Sequence, residues 1–255
     1  MNNSKKEKKL IAAIACRNQG SRLYAKPLQN LCIQGNITIL DNIIDCLKTI
    51  ESISSIVLGV SEGIENEIFL KYASEKGVHS IVGDQTDVLD RLIKCGQLLD
   101  ASDIFRITSE SPFPNFDKVE EGWLLHNSTG ADATFLDDIV DGCNYEIISL
   151  NALVKSHQEG DEKHRSEFCS LYIRENIKDF NIQKLKVNKN LFRKDLRLTV
   201  DNPEDLVICR KIFAEFKNLA PRIPISKIIK FLDKNPDLIK LTLPFAEEGY
   251  KTMYL

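Results

Sequence analysis

Arg17, Ser21, Arg22 and Lys26 fall within one short stretch, "CRNQGSRLYAKPL", that directly follows the apolar run "LIAAIA". Three cations, a hydroxyl and a glycine (Gly20) that permits close backbone approach suit a polyphosphate. A solvated basic loop is the plainer alternative, and the stretch lacks the glycines of a Walker loop or a dinucleotide fingerprint. A second cluster, "RITSESP" (Arg106 to Pro112), carries Glu110; a third, "LTVDNPED", has Asp201 where a strand gives way to a helix. Two acids at neighbouring strand tips can share a Mg²⁺, which takes a few carboxylates plus water and substrate phosphates. Taken singly, Asp201 reads as a helix N-cap and Glu110 as a surface-loop acid. "GDQTDVLDR" (Gly83 to Arg91) is one more strand-to-helix junction, whose free amides could meet a base or a phosphate. There Asp87 could equally cap the helix and Arg91 pair with nearby acids. The four histidines (His79, His126, His157 and His164) show no ligand spacing.

These clusters need elements to hold them. The first half alternates strand-like runs (Leu10 to Ala15, Ser55 to Val60, Val78 to Gly83, Asp103 to Thr108) with helix-like ones (around Ile39 to Leu47, Glu62 to Lys76, Asp87 to Leu99). Continuous apolar strands in βαβα order predict a mostly parallel sheet covered by helices, an α/β fold. In such sheets ligands bind beyond the carboxyl ends of the strands, where all the clusters above fall. From about Asn127 the rhythm changes. "ADATFLDDIVDGCNYEIISL" reads as strands joined by a turn at Asp141-Gly142, and Glu162 to Ile177 as a helix. "LRLTV" (Leu196 to Val200) reads as a strand, and "DNPEDLVICRKIFAEF" begins a helix with Pro203 near its first turn. The last 30 residues read as one helix and a tail.

The chain has 255 residues, 43% hydrophobic and 28% charged, with a net charge of −3. Those values suit one globular domain and give no general attraction to nucleic acid or anionic membrane. Seven cysteines without a CxxC pair read as reduced, buried thiols rather than disulfides or a zinc site. With no signal-peptide core and no membrane span, the expected compartment is the cytoplasm. The basic start "MNNSKKEKK" is expected to be frayed and solvated.

As a set, the motifs resemble the cytidylyltransferase family of the spore-coat polysaccharide biosynthesis type, related to the CMP-sugar synthetases for 3-deoxy-octulosonate and acylneuraminate. Arg17, Arg22, Leu23, Lys26 and Leu28 match its R-x-x-S-x-R-L-x-x-K-x-L, with Ser21 one residue past the pattern's Ser and Pro27 as in the octulosonate branch. "TDVLDR" resembles D-V-L-x-R, "FRITSESP" resembles R-I-T-G-D-x-P, and "LRLTVDNPEDL" resembles L-R-L-T-x-D-x-P-E-D-L. "NYEIISLNAL" and "SEFCSLYIREN" resemble segments lining the acceptor side. The resemblance covers roughly residues 9 to 216. It departs at Glu110 for the family's Asp, Ser109 for Gly, Tyr24 for Pro, and Ser166-Glu167-Phe168 for R-E-H, with Arg165 one residue earlier.

The resemblance implies a Rossmann-like nucleotide-diphospho-sugar transferase (GT-A-like) fold in one domain over residues 1–255. Within it, residues 127–195 would form an inserted region for acceptor binding and homodimerisation. It implies a Mg²⁺-dependent transfer of CMP from CTP to an acidic sugar, with release of pyrophosphate. Arg17, Ser21, Arg22, Lys26, Asp87 and Arg91 are then nucleotide ligands; Glu146, Arg165 and Glu167 contact the acceptor; Glu110 and Asp201 hold the metal. Arg17, Lys26, Glu110 and Asp201 form the catalytic set. Other acceptors (a phosphate or phosphonate), a glycosyltransferase of related fold and a nucleotide-binding homologue without turnover are the alternatives.

Overall fold

The computed structural model describes residues 8–253. Strand β1 (Leu10–Cys16) is the centre of the design because its side chains are apolar on both faces. Leu10, Ala12, Ile14 and Cys16 point into one buried cluster, and Ile11 and Ala13 into another on the opposite face. Around it stand β4 (Ile53–Ser61), β5 (His79–Gly83), β6 (Asp103–Thr108), β7 (Ala133–Leu136), β8 (Tyr145–Ser149) and β9 (Ile182–Lys184). They form one seven-stranded sheet in the order β5-β4-β1-β6-β8-β7-β9. β5, β4, β1 and β6 run parallel, and β8 alone is reversed, antiparallel to both β6 and β7. A small hairpin, β2 (Asn30–Cys32) and β3 (Ile37–Thr38), follows the first loop.

Helices cover both faces. On the first cluster lie α1 (Ile39–Leu47), α2 (Glu67–Lys76), α4 (Val119–Thr129), α8 (Pro203–Glu215) and α9 (Ile225–Lys234). On the second lie α3 (Val88–Leu98), α5 (Leu150–Glu159) and α7 (Leu171–Glu175), through residues such as Leu89, Leu92, Leu153 and Ile173. The short α6 (Glu162–Arg165) and the terminal α10 (Pro236–Met253) complete the set. All seven cysteines are free; six are buried and Cys32 is half-buried. Among the described residues, no helix is long and apolar enough to cross a membrane.

Several local expectations need correcting. Glu162 to Ile177 is not one helix: it breaks between α6 and α7, where Ser166 turns extended and its hydroxyl bonds back to the Lys163 carbonyl at 2.7 Å. "LRLTV" is extended but joins no sheet. Its amides are divided between two loops, Leu198 N–H donating to the Asp141 carbonyl (2.8 Å) and Val200 N–H to that of Glu110 (3.0 Å). The final stretch forms two helices, divided at Asn235-Pro236, where proline disfavours a helical residue before it. The helix expected from Glu62 starts only at Glu67, after Gly63 at φ +118° and a 3-10 turn over Ile64–Asn66. The expected loose N-terminus lies mostly outside the described residues, but Lys9 is tied down, its Nζ donating to the Leu99 carbonyl at 2.6 Å.

Candidate active site

The carboxyl ends of β1 and β6 open onto a cavity of about 700 Å³. The loop leaving β1 supplies Arg17, Ser21, Arg22 and Lys26 to its wall. That loop is a closed ring: Ala25 N–H donates to the Asn18 carbonyl (2.8 Å), with Ala25 in the left-handed region at φ 50°. Gly20 is required here, since a Cβ would sit 2.4 Å from the Leu23 carbonyl oxygen.

Lys26 Nζ lies 2.5 Å and Arg22 Nη2 3.3 Å from Asp201 Oδ1, and Arg197 pairs with Asp201 Oδ2. Burial opposes ionisation of Asp201, but Lys26, Arg197 and Arg22 outweigh it and hold the carboxyl below its ordinary range. Asp201 is not the helix cap. Asn202 is, and Asp205 reaches back to the amides of Asp201 (3.0 Å) and Asn202 (2.8 Å), leaving the Asp201 carboxylate facing the cavity.

Glu110 lines the same cavity from the end of β6. Burial raises its pKa, Lys26 opposes this, and the Asp201 charge adds to the rise. Two acids whose mutual repulsion is felt in this way, both with hard oxygen donors, fit a divalent cation completed by phosphate and water. Among the described residues no group of three or more His, Cys, Asp or Glu is arranged to hold a metal. Asp141, a third cavity acid, is pushed up by burial to about 6 while Arg197, at 2.8 Å, pulls it down.

The remaining candidates divide. Arg91, on α3, reaches the cavity although only 1% exposed. Its Nη1 donates to the carbonyls of Gly59 (3.0 Å) and Cys16 (3.3 Å), and burial lowers its pKa. Glu167 lines the cavity and pairs with Arg17 at 3.3 Å. Glu146 lies opposite Arg106 in the β6–β8 register, 3.1 Å from its guanidinium, and is also bound by Arg174 (2.9 Å) and the Ser170 hydroxyl (2.6 Å). Burial works against its ionisation, but Arg106 and Arg174 keep its pKa low. Asp87 and Arg165 do not reach the cavity wall. Asp87 caps α3 at the Asp90 amide (2.8 Å) and bonds His157 Nε2 (2.7 Å), while Arg165 donates to the His157 carbonyl (3.2 Å).

The sequence reading passed over Arg106, Asp141, Arg174, Arg197 and Phe245 as wall residues. A charged residue between apolar neighbours, as in "IFRIT" and "LRLTV", was the available signal for Arg106 and Arg197. Phe245 comes from α10, beyond the stretch covered by the resemblance, and carried no signal.

Comparison with solved structures places this architecture. A cytidylyltransferase from Leptospira borgpetersenii superposes with a TM-score of 0.81 at 20% identity, over 91% of this chain and 97% of that one. This chain has the cytidylyltransferase fold. A CMP:2-keto-3-deoxy-manno-octonic acid synthetase complexed with CTP superposes with a TM-score of 0.62 at 13% identity, over 82% of this chain and 99% of that one. In sequence, the chain is 24% identical over 233 residues to the spore coat polysaccharide biosynthesis protein SpsF of Bacillus subtilis, covering 89% of this chain and 95% of that protein. It is 27% identical over 245 residues to an uncharacterized protein of Methanocaldococcus jannaschii, covering 95% of this chain and 98% of that protein. No model of a known protein family matches the chain. The resemblance read from the motifs is matched by one sequence relative, SpsF, and by the fold.

Proposed function

We propose that the chain is a cytidylyltransferase that moves CMP from CTP onto an acidic sugar of the octulosonate or nonulosonate kind, serving surface polysaccharide synthesis. The observation that carries this reading is the meeting of Arg22 and Lys26 with Asp201, 175 positions beyond Lys26, in one cavity that also holds Glu110. A cationic loop facing paired acids suits a triphosphate and its metal. The fold shared with cytidylyltransferases and the SpsF relative support CTP and a sugar acceptor.

In the reaction, an acceptor oxygen attacks the α-phosphorus of CTP and loses its proton, while the bond to the bridging oxygen breaks and its electrons leave with pyrophosphate. Arg17, Arg22 and Lys26 neutralise the departing charge, and Arg91 lies in the nucleotide part of the wall. Catalysis of this kind rests on positioning and charge stabilisation. Glu110 and Asp201 would hold Mg²⁺, which when bound polarises phosphate oxygens. Glu167, with residues 127–195 around it, forms the acceptor side. We assign the homodimer to that same region and the cytoplasm as the compartment.

Pyrophosphate release on mixing CTP and Mg²⁺ with a panel of sugar acids, phosphates and phosphonates tests the reading. Turnover with a sugar acid is the expected result; turnover with a phosphonate or phosphate alone would reassign the acceptor. Binding of CTP without turnover on any acceptor would contradict the assignment as an enzyme.

A further inference from the structure

We propose that Asn66, in the connection from β4 to α2, is the positioning residue that sets the phosphate loop. Asn66 is fully buried, at 0% exposure, though it lies 40 positions from Lys26. Its side-chain Oδ1 accepts the backbone N–H of Asn18 at 2.7 Å, one residue past Arg17. Its Nδ2 donates to the Glu62 carbonyl (3.1 Å) and to Gln19 Oε1 (3.3 Å). The neighbouring Glu65 carbonyl takes the Asn18 side-chain amide.

Asn18 is also the residue that closes the ring, its carbonyl accepting Ala25 N–H at 2.8 Å. The Asn66 side chain thus holds the Asn18 backbone N–H while the Glu65 carbonyl holds its side chain, and Asn18 closes the ring that carries Ser21 and Arg22, with Arg17 and Lys26 at its flanks. Asn66 itself does not line the cavity, so it acts through the loop and touches no substrate. An amide side chain can accept from a backbone N–H and donate to a backbone carbonyl at once. Alanine there leaves the buried Asn18 N–H without its acceptor, a loss worth about a tenfold change in an equilibrium.

The role in nucleotide binding rests on the CTP reading above, so the test has two arms. In the first, hydrogen exchange is followed without nucleotide in the wild type, in Asn66→Ala and in Asn66→Asp, which keeps an acceptor for Asn18 N–H. The expected result is exchange about tenfold faster at the Asn18 and Ala25 amides in Asn66→Ala, with β1 amides unchanged and protection only partly restored in Asn66→Asp, which keeps the acceptor but loses the donor to the Glu62 carbonyl. In the second arm, CTP titration should show about tenfold weaker binding for Asn66→Ala, and a clearly smaller further loss when Asn66→Ala is added to Lys26→Ala, since Arg17, Ser21 and Arg22 remain on the loop. Unchanged loop exchange, loosening of loop and β1 together, or additive losses in the double variant would overturn the proposal. Failure of the wild type to bind CTP would instead overturn the functional reading, with the exchange arm still deciding the role of Asn66.

Discussion

At the scale of single residues, the site is a set of charges that neutralise one another. Asp201 holds Lys26, Arg22 and Arg197, and under the proposed function Lys26 and Arg22 are also the cations that would meet the triphosphate. Two results should follow. Lys26→Ala should lower kcat by about 30- to 1000-fold, equivalent to about 2–4 kcal/mol, without a change in the unfolding midpoint. Asp201→Asn should abolish Mg²⁺-dependent turnover, yet bind metal-free CTP several-fold more tightly than the wild type, because Lys26 and Arg22 no longer have a competing carboxylate. Calorimetry in chelator reads the second effect, and weaker binding would refute it. Asp141 gives a pH signature. Its folded-state pKa of about 6 lies above the ordinary carboxylate value of about 4, so the folded state holds that proton more tightly than the unfolded chain. Its contribution is therefore full below that window and is lost as pH rises through it. Across that window the denaturant midpoint of the wild type, relative to that of Asp141→Asn, should fall as pH rises.

At the scale of elements, the cavity depends on backbone that only particular residues tolerate. Gly142 sits at φ +83°, and a Cβ there would lie 2.4 Å from the Thr199 amide nitrogen. Gly142→Ala should therefore displace the Leu198–Val200 segment that carries Asp201, costing about 1–3 kcal/mol of stability together with activity. Ala25, left-handed without being glycine, is the reverse case: Ala25→Gly should leave stability unchanged or raise it by up to about 1 kcal/mol in urea unfolding. The sequence was legible where one periodicity governed a segment. β1 was readable from an uninterrupted apolar run, β6 from the apolar residues on either side of Arg106, and α3 from its apolar face with Asp87 at its cap. It was not legible where partners lay far away. "LRLTV" has the composition of a strand, but the Asp141 and Glu110 carbonyls divide its amides. Asp87 and Arg165 matched motif or charge yet turn to His157, a partner no local pattern reveals.

At the scale of the whole molecule, both core clusters share β1, so the loop at its carboxyl end issues from a strand packed on both faces. Side chains from residues 17 to 26, 106 to 111, 141 to 146, 167 to 174 and 197 to 201, with Phe245, converge on that one end of the sheet. What links them is the reversal of β8, which brings Glu146 beside Arg106 and so closes the far wall.

The most direct measurement is a calorimetric titration of the protein with CTP, with and without Mg²⁺, against UTP and GTP as competitors. Selective binding of CTP, strengthened by Mg²⁺, is the expected result. Absence of binding, or a preference for another nucleotide, would show that this chain shares the fold of the cytidylyltransferases and not their chemistry.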